Sequence, residues 1–272
     1  MSELKDHFTL NSITHHLMGF TPLGDAFNPS GDWELTYGVY SLGSVRRGPG
    51  GRTGTLRLRR QADADGATLT ANYEKPQSGN TMHKLTAELR CRADALSTPT
   101  QWTLQSAAAD ADGRAVPITN LKKSAQVKDG AIVLTDGGRE RRIQVPSAYT
   151  TNWSIFDAVQ RLPRKAFEPI RFTLIDNLDQ PKPNHTLSFR KSDDVLLGEK
   201  IVQQPEVAEL EKGRITKTRR AKTGGRAVRL HAYDHLGEGI VPEVYWVDNQ
   251  GRLLFMVAGL EAYILDTKPA PE

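Results

Sequence analysis

The strongest constraint on the fold is a two-residue alternation that begins at Asp32 and recurs along most of the chain. Trp33, Leu35, Tyr37 and Val39 alternate with Glu34, Thr36, Gly38 and Tyr40. The same pattern returns in Leu56 and Leu58, in Leu69, Ala71 and Tyr73, in Leu85, Ala87, Leu89 and Cys91, in Trp102 and Leu104, and in Ile132 and Leu134. Successive strand side chains point to opposite faces, so each run offers one face to a core and one to water. Between the runs lie Gly48-Pro49-Gly50-Gly51, Asp65-Gly66, Pro76 to Gly79, Asp112-Gly113, Asp129-Gly130 and Asp136-Gly137-Gly138. Short alternating runs joined by such turns predict antiparallel hairpins.

Two segments break the period. Leu10, Ile13, Leu17 and Phe20 are spaced for a helix. Trp153, Ile155, Phe156, Val159 and Leu162 form a second helical stripe, with Thr151 or Asn152 as cap and Pro163 as stop. Strands resume with Ile170, Phe172 and Leu174, then Leu187 and Phe189, then Val228, Leu230 and Ala232. The clearest hairpin is Val244-Tyr245-Trp246-Val247, a turn at Asp248 to Gly251, and Leu253 to Val257, followed by a strand at Glu261 to Leu265. Residues 244–257 are apolar on both faces, which predicts a central position covered on both sides, by the two helices. The expected fold is mainly β: one or two large curved antiparallel sheets, a half-barrel or sandwich, with one N-terminal and one mid-chain helix. The organisation reads as an N-terminal helical segment (1–31), a single β-rich domain (32–267) and a disordered tail (268–272). Within the domain, helix 152–162 splits two β-series, 32–150 and 166–267.

Charge restricts partners weakly. The chain has 36 Lys and Arg against 32 Asp and Glu, a net +4. A dedicated nucleic-acid binder carries a stronger imbalance, so nucleic acid is the disfavoured partner. The lone cysteine, Cys91, allows no internal disulfide and no thiolate zinc site, and its strand parity makes it a core thiol. No metal or cofactor is expected, because phosphate-loop, dinucleotide, nucleophile-elbow and zinc-helix motifs are all missing. The first residues are polar and no stretch of about 18 apolar residues occurs. That fits a cytoplasmic protein or a leaderless form of an exported one. No feature specifies an oligomeric state.

Two polar constellations remain. Lys212, Arg214, Lys217, Arg219, Arg220, Lys222, Arg226 and Arg229 run without an acidic residue. With Gly224-Gly225 as its hairpin turn, this segment reads either as an anion-binding ribbon or as a solvated strand pair whose charges discourage edge pairing. Lys217, Arg219, Arg220, Lys222 and Arg226 are the candidate anion contacts. The second constellation is Arg229, His231, Tyr233 and His235 at alternate positions, about 6.6 Å apart on one strand face. Glu243 and Tyr245 share a face of the next strand and reach this row if the two strands pair. Histidine can act as base, tyrosine as acid, and arginine can neutralise a carboxylate.

The order of elements, with Trp33 to Tyr37 opening the sheet, Asn152 to Leu162 as mid-chain helix, and Tyr245-Trp246-Val247-Asp248 before Gly251-Arg252-Leu253, resembles a bacterial family of exported β-rich domains of unknown function. The resemblance implies a curved antiparallel sheet wrapped around a helix, and no catalytic residues. This chain departs from the pattern in its basic stretch near 212–226 and in having no leader.

The leading expectation is therefore a binding domain for a small polar or anionic ligand, a saccharide among them, held on an open sheet face by Arg229, His231, Tyr233, His235, Glu243 and Tyr245. The enzymatic alternative is a carbohydrate lyase working by β-elimination through His231, Tyr233 and Arg229. A basic nucleic-acid adaptor is the third.

Overall fold

The computed structural model describes residues 10–42, 51–77, 81–110, 112–198, 200–210 and 213–267; for 11, 14, 117, 118 and 200–223 it describes only the backbone. The Gly48-Pro49-Gly50 and Gly79 turn positions and the tail 268–272 lie outside it.

The first β-series forms β1 (Trp33–Ser41), β2 (Arg52–Ala62), β3 (Gly66–Gln77), β4 (Thr81–Arg92), β5 (Pro99–Ala109), β6 (Ala115–Lys128), β7 (Ala131–Asp136) and β8 (Arg139–Gln144). The second forms β9 (Tyr149–Thr151), β10 (Ile170–Asp176), β11 (Gln180–Leu197), β12 (Lys200–Leu210), β13 (Gly213–Thr223), β14 (Arg226–Leu236), β15 (Glu243–Asp248), β16 (Leu253–Ala258) and β17 (Glu261–Leu265). Fifteen strands make one sheet in the order β8-β7-β6-β5-β4-β3-β2-β1-β17-β16-β15-β14-β11-β10-β9. Strands β1 to β8 are thus a simple meander, and β1 pairs with β17 where the two series meet. The β9–β10 pair is parallel and the rest of this sheet is antiparallel. The fold is mainly β, with one large curved sheet and two helical segments, as the alternation predicts.

Helix α1 is a single turn (Thr14–Leu17) after a 3₁₀ turn, Leu10–Ile13. Its apolar spacing is used in full: Leu10, Ile13, Leu17 and Phe20 are buried, and Phe20 meets Phe255 edge-on at 4.8 Å. Helix α2 (Asn152–Arg161) starts where the Thr151 Oγ1 accepts the Ser154 N–H at 3.2 Å and stops before Pro163. Replacing Thr151 with alanine should cost about 1 kcal/mol, read from the denaturation midpoint. Phe156 of α2 packs on Tyr37, Tyr245 and Tyr263 at 5.9, 5.6 and 5.7 Å. One helical segment therefore lies against each face of the central strands, which is why β15 and β16 carry no polar face.

A turn between β10 and β11 reaches across to the first series. Asn177 and Leu178 adopt left-handed backbone angles, and Leu178 is fully buried. Its carbonyl accepts from Trp102 Nε1 at 2.9 Å, and Lys123 and Arg141 hold the neighbouring Asp179. Gly224-Gly225 is not the turn of a hairpin. Strand β13 pairs with β12, not with β14, and β14 continues beside β11. The two glycines, at φ of 74° and 96°, join the main sheet to a separate two-stranded ribbon. Among the described residues, no helix is long and apolar enough to cross a membrane.

Candidate functional site

Pairing of β14 with β15 sets His235 opposite Glu243, Tyr233 opposite Tyr245 and His231 opposite Val247. The polar row thus shares a face with Glu243 and Tyr245, as the sequence allowed. Around Tyr233 and Tyr245 that face is turned toward α2 and the segment after it, so the row is buried from His231 to His235 and open only at Arg229. Tyr233 is fully buried and donates to the Pro163 carbonyl at 3.1 Å, between the rings of Phe167 and Phe189. Burial pushes its hydroxyl up to about 12. Arg229 is exposed and bound to Asp194 at 2.9 Å. His231 lies between Ser192 and Asn249. Arg229, His231 and Tyr233 each have separate partners. The expected lyase trio loses its acid, because the tyrosine hydroxyl is committed to a backbone carbonyl.

His235, Glu243 and Tyr245 do come together, and they bring in His185. Tyr245 donates to Glu243 Oε2 at 2.6 Å, and His235 Nδ1 lies 2.8 Å from the same oxygen. His235 Nε2 is 2.9 Å from His185 Nδ1. A carboxylate only accepts, so Nδ1 of His235 carries a proton, and in the neutral ring Nε2 is an acceptor. His185 Nδ1 is then the donor in the histidine pair. Phe172 stacks against His235 with ring centres 5.4 Å apart. Burial, and then the neighbouring His235, lower His185 to about 4, which keeps its ring neutral at neutral pH. The Tyr245 hydroxyl is raised well above its ordinary value by burial and by Glu243. Gly237 makes room for the pair: a Cβ there would stand 2.3 Å from His185 Nδ1.

Glu243 connects this buried chain to a cavity of about 210 Å³ between α2 and the sheet. Trp153 and Phe156 form the helix side, Leu85, Leu104, Met256 and Tyr263 the sheet side, and Asn177 and Leu178 the rim. Asn152 fixes that rim, donating from Nδ2 to Asp176 and accepting the Asn177 N–H, both at 3.0 Å. Apolar side chains share the walls with Asn152, Asn177 and the hydroxyl-bearing Tyr245 and Tyr263, and Glu243, with a side chain 16% exposed, is the one charged group among the described lining residues. Both of its hydrogen bonds use Oε2. Oε1 takes none among the described residues.

The remaining candidates stand apart. Arg226 is exposed at the end of β14, opposite Leu197. The side chains of Lys217, Arg219, Arg220 and Lys222 lie outside the described residues, as do those of Lys212 and Arg214. The backbone register sets Glu206 opposite Lys217 and Glu209 opposite Arg214. Cys91 is buried, and burial pushes its thiol up to about 12, as suits a core residue. The pattern around His185 puts it on the core face but does not show its bond to His235. Parity marks the burial, since His185, Leu187 and Phe189 alternate on one strand, whereas the bond depends on the β11–β14 register.

No family model matches the chain, and no curated protein does. Among solved structures it is similar to a crystal structure of a β-barrel-like protein of domain of unknown function DUF1849 from Brucella abortus. The TM-score is 0.49 and the identity 10%, over 89% of this chain and 98% of the other. At this level of likeness no residue role carries over.

Proposed function

We propose that the protein is a binding domain for a small ligand with an apolar body and a hydrogen-bond-donating or cationic head, taken up between α2 and the sheet. One observation carries the reading: the Glu243 carboxylate is the one charged group, among the described residues, that lines a cavity of mixed apolar and polar walls, with one oxygen anchored by Tyr245 and His235. Pockets that are mostly apolar with a few placed polar groups are the common form of small-molecule sites. A cavity of 210 Å³ suits a ligand of one ring. A monosaccharide belongs to this class, with hydroxyls for Glu243 and a ring face for Trp153. An anionic ligand does not, because it would meet the carboxylate.

Thermal melts with phenethylamine, methyl β-glucoside and phenylacetate test this. The amine or the glucoside should raise the melting temperature, and phenylacetate should not. A ligand at 100 times its Kd stabilises by about 2.7 kcal/mol, which such a melt resolves. The shift should vanish in Glu243→Gln. Equal binding of phenylacetate, no shift with either donor, or an undiminished shift in the variant would each overturn the reading.

A further inference from the structure

His231 lies outside the cavity, and its two ring nitrogens have partners of different kinds. Nε2 is 2.9 Å from Asn249 Oδ1, and Nδ1 is 2.7 Å from Ser192 Oγ. The amide oxygen can only accept, so in the neutral ring the imidazole proton sits on Nε2. Nδ1 then presents a lone pair, and the Ser192 hydroxyl donates to it. A serine whose proton points into an imidazole, itself oriented by a third group, is the arrangement that activates a hydroxyl for attack. The fold holds all three parts. Ser192 is opposite His231 in the β11–β14 register, and Asn249 sits in the β15–β16 turn, whose Asp248 Oδ1 accepts from the Gln250 and Arg252 amides. His231 is 7% exposed, while Ser192 is half-buried and Asn249 is exposed, so the base is fixed and the hydroxyl can be approached.

We propose that Ser192, His231 and Asn249 form a nucleophilic site for acyl transfer from small carboxylic esters to water. The Ser192 Oγ bonds to the ester carbonyl carbon as its proton passes to His231 Nδ1. The tetrahedral adduct collapses, the ester C–O bond breaks, and the departing alkoxide takes the proton from His231. Water then attacks the acyl-serine, giving a proton to His231 Nδ1. Collapse of that adduct frees the carboxylic acid, and Ser192 recovers its proton. Ser192 and His231 are the catalytic residues, and Asn249 is a positioning residue that fixes the tautomer.

The experiment is covalent labelling with a fluorophosphonate, mapped by peptide mass spectrometry. The Oγ–P bond forms, the P–F bond breaks, fluoride leaves and the proton goes to His231. The label should appear on Ser192 ahead of every other serine and be lost in Ser192→Ala. His231→Ala should slow it by about 100-fold, the low end of what a positioned base contributes. Asn249→Ala should slow it as well, and Asn249→Asp, which keeps an acceptor for Nε2–H, should restore it. A melt of each variant shows whether it is folded, and the exposed Asn249 pair decides the matter if His231→Ala is not. Labelling spread evenly over serines, or indifferent to Asn249→Ala, would overturn the proposal and leave a structural hydrogen-bond chain.

Discussion

Replacing Asp157 with alanine is expected to lower the stability of the fold by roughly 3–5 kcal/mol, the largest loss foreseen for any single change here. Asp157 projects from α2 and is 1% exposed. Its Oδ1 is 3.0 Å from Arg60 Nε, and its Oδ2 accepts from Ser97 at 2.6 Å and from Arg161 at 3.0 Å. The carboxylate therefore ties the helix to β2 and to the β4–β5 turn. Arg60, 4% exposed, would be left as a buried charge with, among the described residues, the Ser30 and Gly31 carbonyls as its remaining partners. The cost comes from that abandoned cation rather than from the bonds themselves. Removing both charges, as in Arg60→Met with Asp157→Leu, should recover most of the loss. Urea midpoints of the two singles and the double measure it. A single variant within 1 kcal/mol of the parent, or a double no better than the single, would show that the pair does not act this way.

The second large effect is acid sensitivity through His185. Its folded value of about 4 lies below the ordinary 6.5, so the unfolded chain binds the proton more readily. The stabilisation is complete above pH 6.5 and is lost as the pH falls from 6.5 toward 4. At 1.36 kcal/mol per unit this amounts to about 3 kcal/mol. Unfolding at pH 5 should take up close to one proton at this position. Other groups titrate in the same window, so the comparison is between the parent and His185→Gln, whose midpoint should fall less steeply between pH 6.5 and 4.5. Parallel slopes would mean that His185 is not held neutral.

The sequence carried the strands and the helix α2 because their signals are local. Thr151 and Pro163 bound α2, and parity alone sends Leu56, Leu58, Leu89 and Cys91 inward. Arg60 has the same parity as Leu56 and Leu58, so the buried ion pair left a visible trace: a charge on the core face. The parallel β9–β10 pair left none, because pairing partners are not written in a strand's own alternation. The polar row was legible as a row but not as a buried one. Whether Tyr233 faces water depends on where residues 162–167 lie, and that is decided by packing far away in sequence. The same holds for the histidine pair. His185 and His235 are 50 positions apart, and only the β11–β14 register brings them into contact.

The strand order also has a kinetic consequence. Most neighbours within each series follow one another in the chain, the exceptions being β9–β10, which pair across α2, and β11–β14, which pair across the β12–β13 ribbon, so most of each half can zip up from contacts close in sequence. The seam between the halves is different. Tyr37 pairs with Leu265, Thr36 accepts from the Asp266 amide, and Arg52 is bound to Asp266. Contacts of such long range form late and set the pace of folding in sheet proteins. During synthesis the strand that completes the sheet leaves the ribosome after every other, and until it does β1 is an unpaired edge with Tyr37 and Val39 uncovered. Aggregation of the nascent chain is therefore most dangerous in the interval between the emergence of β1 and that of β17.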